Sequence, residues 1–166
     1  MHPAQTLSTL LWRERELLDR LTYRLETEQL LISSGHTRWI GFATEEVAAA
    51  VAAVRDAALE TQASASALAG LWGLPDDAGL PALVGAAPED GPWREVLTGH
   101  LEALTAQASE VELLRDANAK LLRAATRDVQ ETLAQAAPQQ GPTGAGYDAA
   151  GHAARPASPH FLDQRS

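Results

Sequence analysis

The sequence predicts an all-α fold: an antiparallel bundle of three long helices, a short extra helical turn before the third, and a disordered C-terminal tail. Three observations carry this. First, 45% of the 166 residues are hydrophobic, yet aromatics are only four Trp, two Tyr and two Phe. The rest is mostly Ala and Leu, which favour helix over strand. Second, apolar residues recur at alternating steps of four and three along three long stretches. Third, Gly and Pro gather between residues 73 and 91 and again from Pro138 onward, where they break helices.

The first helix is expected from about Gln5 to Ser33. Leu7, Leu11, Leu18, Leu21, Leu25 and Ile32 keep the spacing, and Glu14 and Glu28 fill its missing beats. Leu10, Leu17 and Leu31 add a neighbouring stripe, so the apolar face is as broad as that of a globular bundle. Ser33-Ser34-Gly35-His36 ends the helix, with Gly35 as a left-handed cap. Thr37 to Ala43 reads as a connector. It holds Trp39, Ile40 and Phe42, at least two of which are expected to plug one end of the bundle.

Thr44 is the expected N-cap of the second helix, with Glu45 and Glu46 at the positive end of its dipole. Val47, Val51, Val54, Ala58, Thr61, Ala65, Leu68 and Trp72 form an unbroken series, and the helix should end between Gly70 and Gly73, before Pro75. Its many alanines allow close approach but contribute little burial each. Leu80, Leu83 and Val84 suit a short turn packed back on the bundle.

The third helix is bounded by Pro92, tolerated in a first turn, and Pro138. Its seam reads Leu97, Leu101, Leu104, Ala108 and Val111, meets Arg115 and Asn118, and resumes at Leu122, Ala125 and Val129. The polar pair has two readings. Asn118 sets helix register while Arg115 snorkels to water. Alternatively, the helix from about Leu113 is only partly covered and offers Leu114, Leu121, Leu122, Ala125 and Val129 to a partner helix. The pair then marks a boundary between bundle core and partner surface. Residues 1–137 form the helical domain and residues 138–166 a flexible Gly/Pro-rich tail. Isolated apolar residues in that tail, Tyr147 and Phe161 among them, are either a short binding motif or without role.

Charge and composition exclude several functions. A formal net charge of −9 leaves no basic stripe for nucleic acid. The absence of Cys removes disulfides and thiolate chemistry. The N-terminus lacks the basic start and apolar run of a signal peptide, and no apolar run approaches the ~20 residues of a membrane span. A soluble, cytoplasmic protein is expected. No catalytic grouping stands out. Of His2, His36, His100, His152 and His160 only His100 lies in an expected helix, and no Glu-x-x-His pair includes it. Glu14, Glu28, Glu102 and Glu110 are assigned to a solvated face. Neither a phosphate loop nor a Gly-x-Ser-x-Gly elbow occurs. No enzyme activity, cofactor or metal is expected.

The order of these parts resembles a flagellar export chaperone of the FlgN type, as found in high-GC Gram-positive bacteria. The likeness rests on Leu10-Leu11-Trp12-Arg13-Glu14-Arg15-Glu16-Leu17-Leu18 through Glu28-Gln29-Leu30-Leu31, and on Arg38-Trp39-Ile40 through Ala43-Thr44-Glu45-Glu46-Val47. It rests also on Leu71-Trp72-Gly73-Leu74, where Trp72 interrupts a common Leu-Gly-Leu, on Leu80-Pro81-Ala82-Leu83, and on Asn118-Ala119-Lys120-Leu121-Leu122. It covers roughly residues 7–136. The resemblance implies a cytoplasmic chaperone, monomeric or weakly dimeric when free, for the hook–filament junction proteins FlgK and FlgL. It implies a substrate surface on the third helix comprising Leu114, Asn118, Leu121, Leu122, Ala125, Val129 and Leu133. It also implies delivery to the export gate protein FlhA, with Tyr147 in the tail as the aromatic candidate for that contact. The competing reading is a generic helical scaffold or adaptor that self-associates through its heptad seam.

Overall fold

A computed structural model describes residues 2–136. They form four helices, α1 (Pro3–Ser33), α2 (Thr37–Leu71), α3 (Leu80–Ala86) and α4 (Trp93–Ala136), with no strand among the described residues. The chain divides into two compact units, 1–129 and 130–166, so the packed core described here belongs to the first. The tail from Pro138, with Tyr147, lies outside the described residues.

Helix α1 starts at Pro3, two residues earlier than the spacing indicated. Pro3 occupies its first position, and the His2 ring accepts a hydrogen bond from the Ala4 amide at 3.3 Å. Both long-helix ends in the first half of the chain use a left-handed glycine. Gly35 and Gly73 each have φ of +72°. The amide of Gly35 donates to Ile32 O and that of His36 to Leu31 O; Gly73 and Leu74 repeat the pattern onto Gly70 O and Ala69 O. These are Schellman closures, in which the positive φ costs a residue without Cβ almost nothing.

The expected connector at Thr37 to Ala43 is a correction. Helix α2 begins at Thr37, seven residues before Thr44, so the turn between α1 and α2 is only three residues long. The capping signal at Thr44-Glu45-Glu46 was misleading because Thr44 has another task, described below. Trp39 and Phe42 do not plug the bundle either. They are 45% and 63% exposed and tilt against each other with ring centroids 5.9 Å apart. Ala43 is buried in their stead.

Two hydrophobic clusters hold the first unit. One joins Ala4, Leu7 and Leu11 of α1 to Leu68 and Ala69 of α2, Leu83 of α3 and Leu97 of α4. The other joins Leu18, Leu21 and Leu25 of α1 to Val111 of α4, with Val47, Val51 and Val54 of α2 packed against them. Leu83 is fully buried, so the short segment after residue 79 does pack back as a helix. Each fully buried Leu contributes about 1.5–3 kcal/mol relative to exposure.

The hydrogen bonds give the direction of the pairing. Arg13 meets Glu60 and Arg24 meets Glu46, so α2 descends as α1 ascends. Ser8 meets His100, Arg15 and Asp19 meet Gln107, and Leu25 and Glu28 meet Asn118, so α4 ascends with α1.

Candidate functional site

The inward face of α4 corrects the seam in a specific way. Leu97, Leu104, Val111, Asn118 and Ala125 point inward or partly so, as the spacing indicates. The alternate beats fall one residue earlier than expected. His100, Gln107, Leu114 and Leu121 occupy them, while Ala108 and Arg115 are exposed. Reading apolar residues alone selects Leu101 and Ala108 over His100 and Gln107. The polar pair go inside with one nitrogen each partnered by α1, His100 Nε2 by Ser8 and Gln107 Nε2 by Arg15 and Asp19. Arg115 is therefore no interruption at all, and Leu114 takes its beat.

Three polar residues thus tie α4 to α1 along its length. The His100 ring is within hydrogen-bonding distance of Ser8 Oγ, 3.0 Å, and meets the Trp12 ring edge-on. Burial, and secondarily the nearby Arg15 guanidinium, lower the His100 pKa from its ordinary 6.5. Gln107 Nε2 donates to the Arg15 carbonyl and to the Asp19 carboxylate. Asn118 Nδ2 donates to Leu25 O at 2.8 Å and to Glu28 Oε2 at 2.9 Å.

Glu28 is a second correction. Instead of a solvated face it occupies the inward beat that its spacing left open, and it is buried. Its other oxygen accepts a hydrogen bond from Thr44 Oγ1 at 2.7 Å. Glu28 of α1, Thr44 of α2 and Asn118 of α4 so form one polar junction across three helices. Asn118 itself is interior, 2% exposed.

Beyond this junction coverage falls away. Contacts between α1 and α4 keep a separation of 88 to 93 residues. The same spacing brings Ser33, the last residue of α1, level with about Ala125. Leu114, Leu121 and Leu122, still alongside α1, are half-buried, as is Ala125 at the level of its end, and Val129 beyond it is 54% exposed. Leu113, just outside the seam, is exposed. Leu133 is exposed as well and belongs to the second unit. Lys120, Arg123 and Arg127 stand beside Leu122 along a shallow depression on this part of α4. Its character is apolar with a basic margin, in a chain that is acidic overall.

Of the expected surface residues, Leu114, Leu121, Leu122, Ala125 and Val129 therefore fall on one stretch of helix, and Asn118 falls beneath it. Sequence reasoning missed Glu28, Thr44, His100 and Gln107. For Glu28 the signal was present, since it sat on an inward heptad beat. No group of three or more His, Cys, Asp or Glu side chains placed to hold a metal occurs among the described residues. None of the described helices is long and apolar enough to cross a membrane.

No curated protein and no solved structure matches the chain. A family model described as FlgN protein matches residues 1–155, nearly the whole length. This agrees with the resemblance to the FlgN type over residues 7–136. The chain belongs to the FlgN family, flagellar chaperones rather than enzymes.

Proposed function

We propose that the protein is a cytoplasmic type III export chaperone for hook–filament junction proteins of the FlgK and FlgL kind. In this reading α1, α2 and α4 form an antiparallel three-helix bundle whose third member outruns its support. The apolar residues Leu114, Leu121, Leu122, Ala125 and Val129 receive an amphipathic helix of the substrate, and Leu133 of the second unit is a separate proposed contact. Covering that helix keeps the junction protein from assembling early, and the complex then travels to the export gate protein FlhA. Tyr147 is the proposed gate contact. The free chaperone is a monomer or weak dimer.

One observation carries the reading. α4 carries an apolar stripe that is half-buried from Leu121 to Ala125, where α1 ends, and exposed at Val129 beyond it. An amphipathic helix laid on such a stripe buries apolar surface at about 25 cal/mol per Å2 without needing nucleotide hydrolysis. The basic margin of Lys120, Arg123 and Arg127 favours an acidic flank on the incoming helix.

Co-purification of the full chain with a FlgK-like or FlgL-like protein tests this. Leu122→Asp and Val129→Asp are expected to abolish the complex while circular dichroism still reports native helix content. If both variants retain full binding, the surface lies elsewhere. A tight homodimer through the same stripe, seen by sedimentation equilibrium and unaffected by either junction protein, favours the self-associating scaffold.

A further inference from the structure

Helix α2 packs on α1 with one face, and its outer face carries a second series at steps of four and three. Gly41, Glu45, Ala48, Ala52, Arg55 and Leu59 make up this series, and all six are exposed. Such spacing sets them along one stripe about 27 Å long.

Several members of the stripe have no explanation within one chain. Gly41 lies inside α2, where glycine destabilises a helix relative to alanine. Its φ is not positive, and a Cβ at this position would have no atom within 4 Å. Neither its backbone nor a neighbour requires a glycine. Leu59 stands 62% exposed. Glu45 and Arg55 form no ion pair among the described residues, whereas Glu46 and Glu60 beside them pair with Arg24 and Arg13.

The stripe is also palindromic about residue 50. Reversing it about that point sets Gly41 against Leu59, Glu45 against Arg55 and Ala48 against Ala52. A missing side chain meets a protruding one, a carboxylate meets a guanidinium, and two methyl groups meet between them.

We propose that this face of α2 is the contact between two copies of the chain, paired antiparallel about a two-fold axis at residue 50. Each pairing then occurs twice, as two-fold symmetry demands. Leu59 of one copy enters the space over Gly41 of the other, a knob in a hole. Glu45 of one copy meets Arg55 of the other on both sides of the axis. The central alanines let the helix axes approach to about 8 Å, the short end of the packing range. A parallel pair instead sets Glu45 against Glu45 and Arg55 against Arg55. Sliding the antiparallel pair by one heptad sets Arg55 against Arg38 in one direction, and Arg55 against Ala52 in the other. One helix pair of this length buries less than the roughly 1,200 Å2 of a standard interface, so the dimer is weak and concentration-dependent. The proposal deepens the reading of the free chaperone as a monomer or weak dimer. It uses no residue of the α4 stripe, so its failure leaves the substrate surface untouched.

Sedimentation equilibrium of the full-length chain from about 10 μM to about 1 mM tests it. The parent is expected to dimerise within this range. Glu45→Arg and Arg55→Glu are each expected to weaken dimerisation about tenfold, because each sets two like-charged pairs across the axis. An equimolar mixture of these two variants is expected to recover the parent's affinity, since each supplies the charge that the other lacks. Gly41→Leu fills the hole and is expected to weaken dimerisation about tenfold as well. Its helix content and melting temperature in dilute solution should match or exceed the parent's, because the added side chain meets open space. A parent that stays monomeric throughout, a dimer unchanged by Glu45→Arg, or a variant mixture that fails to associate would overturn the assignment.

Discussion

Asn118 Nδ2 donates to Glu28 Oε2 across the α1–α4 contact at 2.9 Å, with the two side chains 2% and 4% exposed. Both of the atoms that Asn118 Nδ2 meets are acceptors, so the orientation of the amide is dictated by the chemistry of its partners. Thr44 completes the junction from α2. A polar residue in a helical seam stabilises less than a Leu there but pins one register against its neighbours. Here it fixes which α4 residues lie beyond the end of α1.

Removing one member of this junction strands the others. Asn118→Ala is expected to cost about 2–3 kcal/mol, because a buried carboxyl group and a buried carbonyl lose their donor. Urea unfolding followed by circular dichroism measures it. Glu28→Ala should cost a similar amount, and the double variant less than the sum, with a coupling of about 0.5–3 kcal/mol. Additive effects would mean that the contact carries no weight.

The corrected seam predicts a contrast between adjacent residues. Leu114 packs on the cluster of Leu18, Leu21 and Leu25, whereas Arg115 is exposed. Leu114→Ala should therefore lower stability by about 1–3 kcal/mol, and Arg115→Ala by no more than about 0.5 kcal/mol. Equal effects would restore Arg115 to the seam.

Acid should weaken the fold through His100. Its pKa is lowered from 6.5 in the folded protein, chiefly by burial, so the unfolded chain takes up the proton first as pH falls. The contribution is complete above 6.5 and is lost as pH drops through the lower folded value. His100→Gln retains a partner for Ser8 and cannot titrate. Its stability should vary less than that of the parent as pH falls below 6.5, measured by urea unfolding at each pH.

How far the sequence disclosed this architecture follows from what its spacing encodes. The leucines of α1 and the alanine-valine series of α2 stand at inward positions with few competitors, and both were legible. The cap at Gly35 was legible for the same reason, since only glycine takes that backbone cheaply. Half of the α4 seam was not, because His100 and Gln107 enter the core only when Ser8, Arg15 and Asp19 lie opposite, and opposition across 88 to 92 residues leaves no local mark. The start of α2 was missed for a related reason. Thr44 and two glutamates imitate an N-cap, yet Thr44 serves Glu28 on the neighbouring helix. The apolar stretch Leu121 to Val129 was legible as apolar; the exposure of Val129 follows from α1 ending at Ser33, a matter of relative helix length.

The most direct test of the partner surface is hydrogen–deuterium exchange on the full-length protein, alone and with a FlgK-like junction protein. The account predicts that binding slows exchange in α4 from about Leu121 through Val129 and leaves the amides around Leu97 to Val111, already held by both clusters, unchanged. Protection confined to the Trp39–Phe42 end of α2, or absent from α4 altogether, would contradict it.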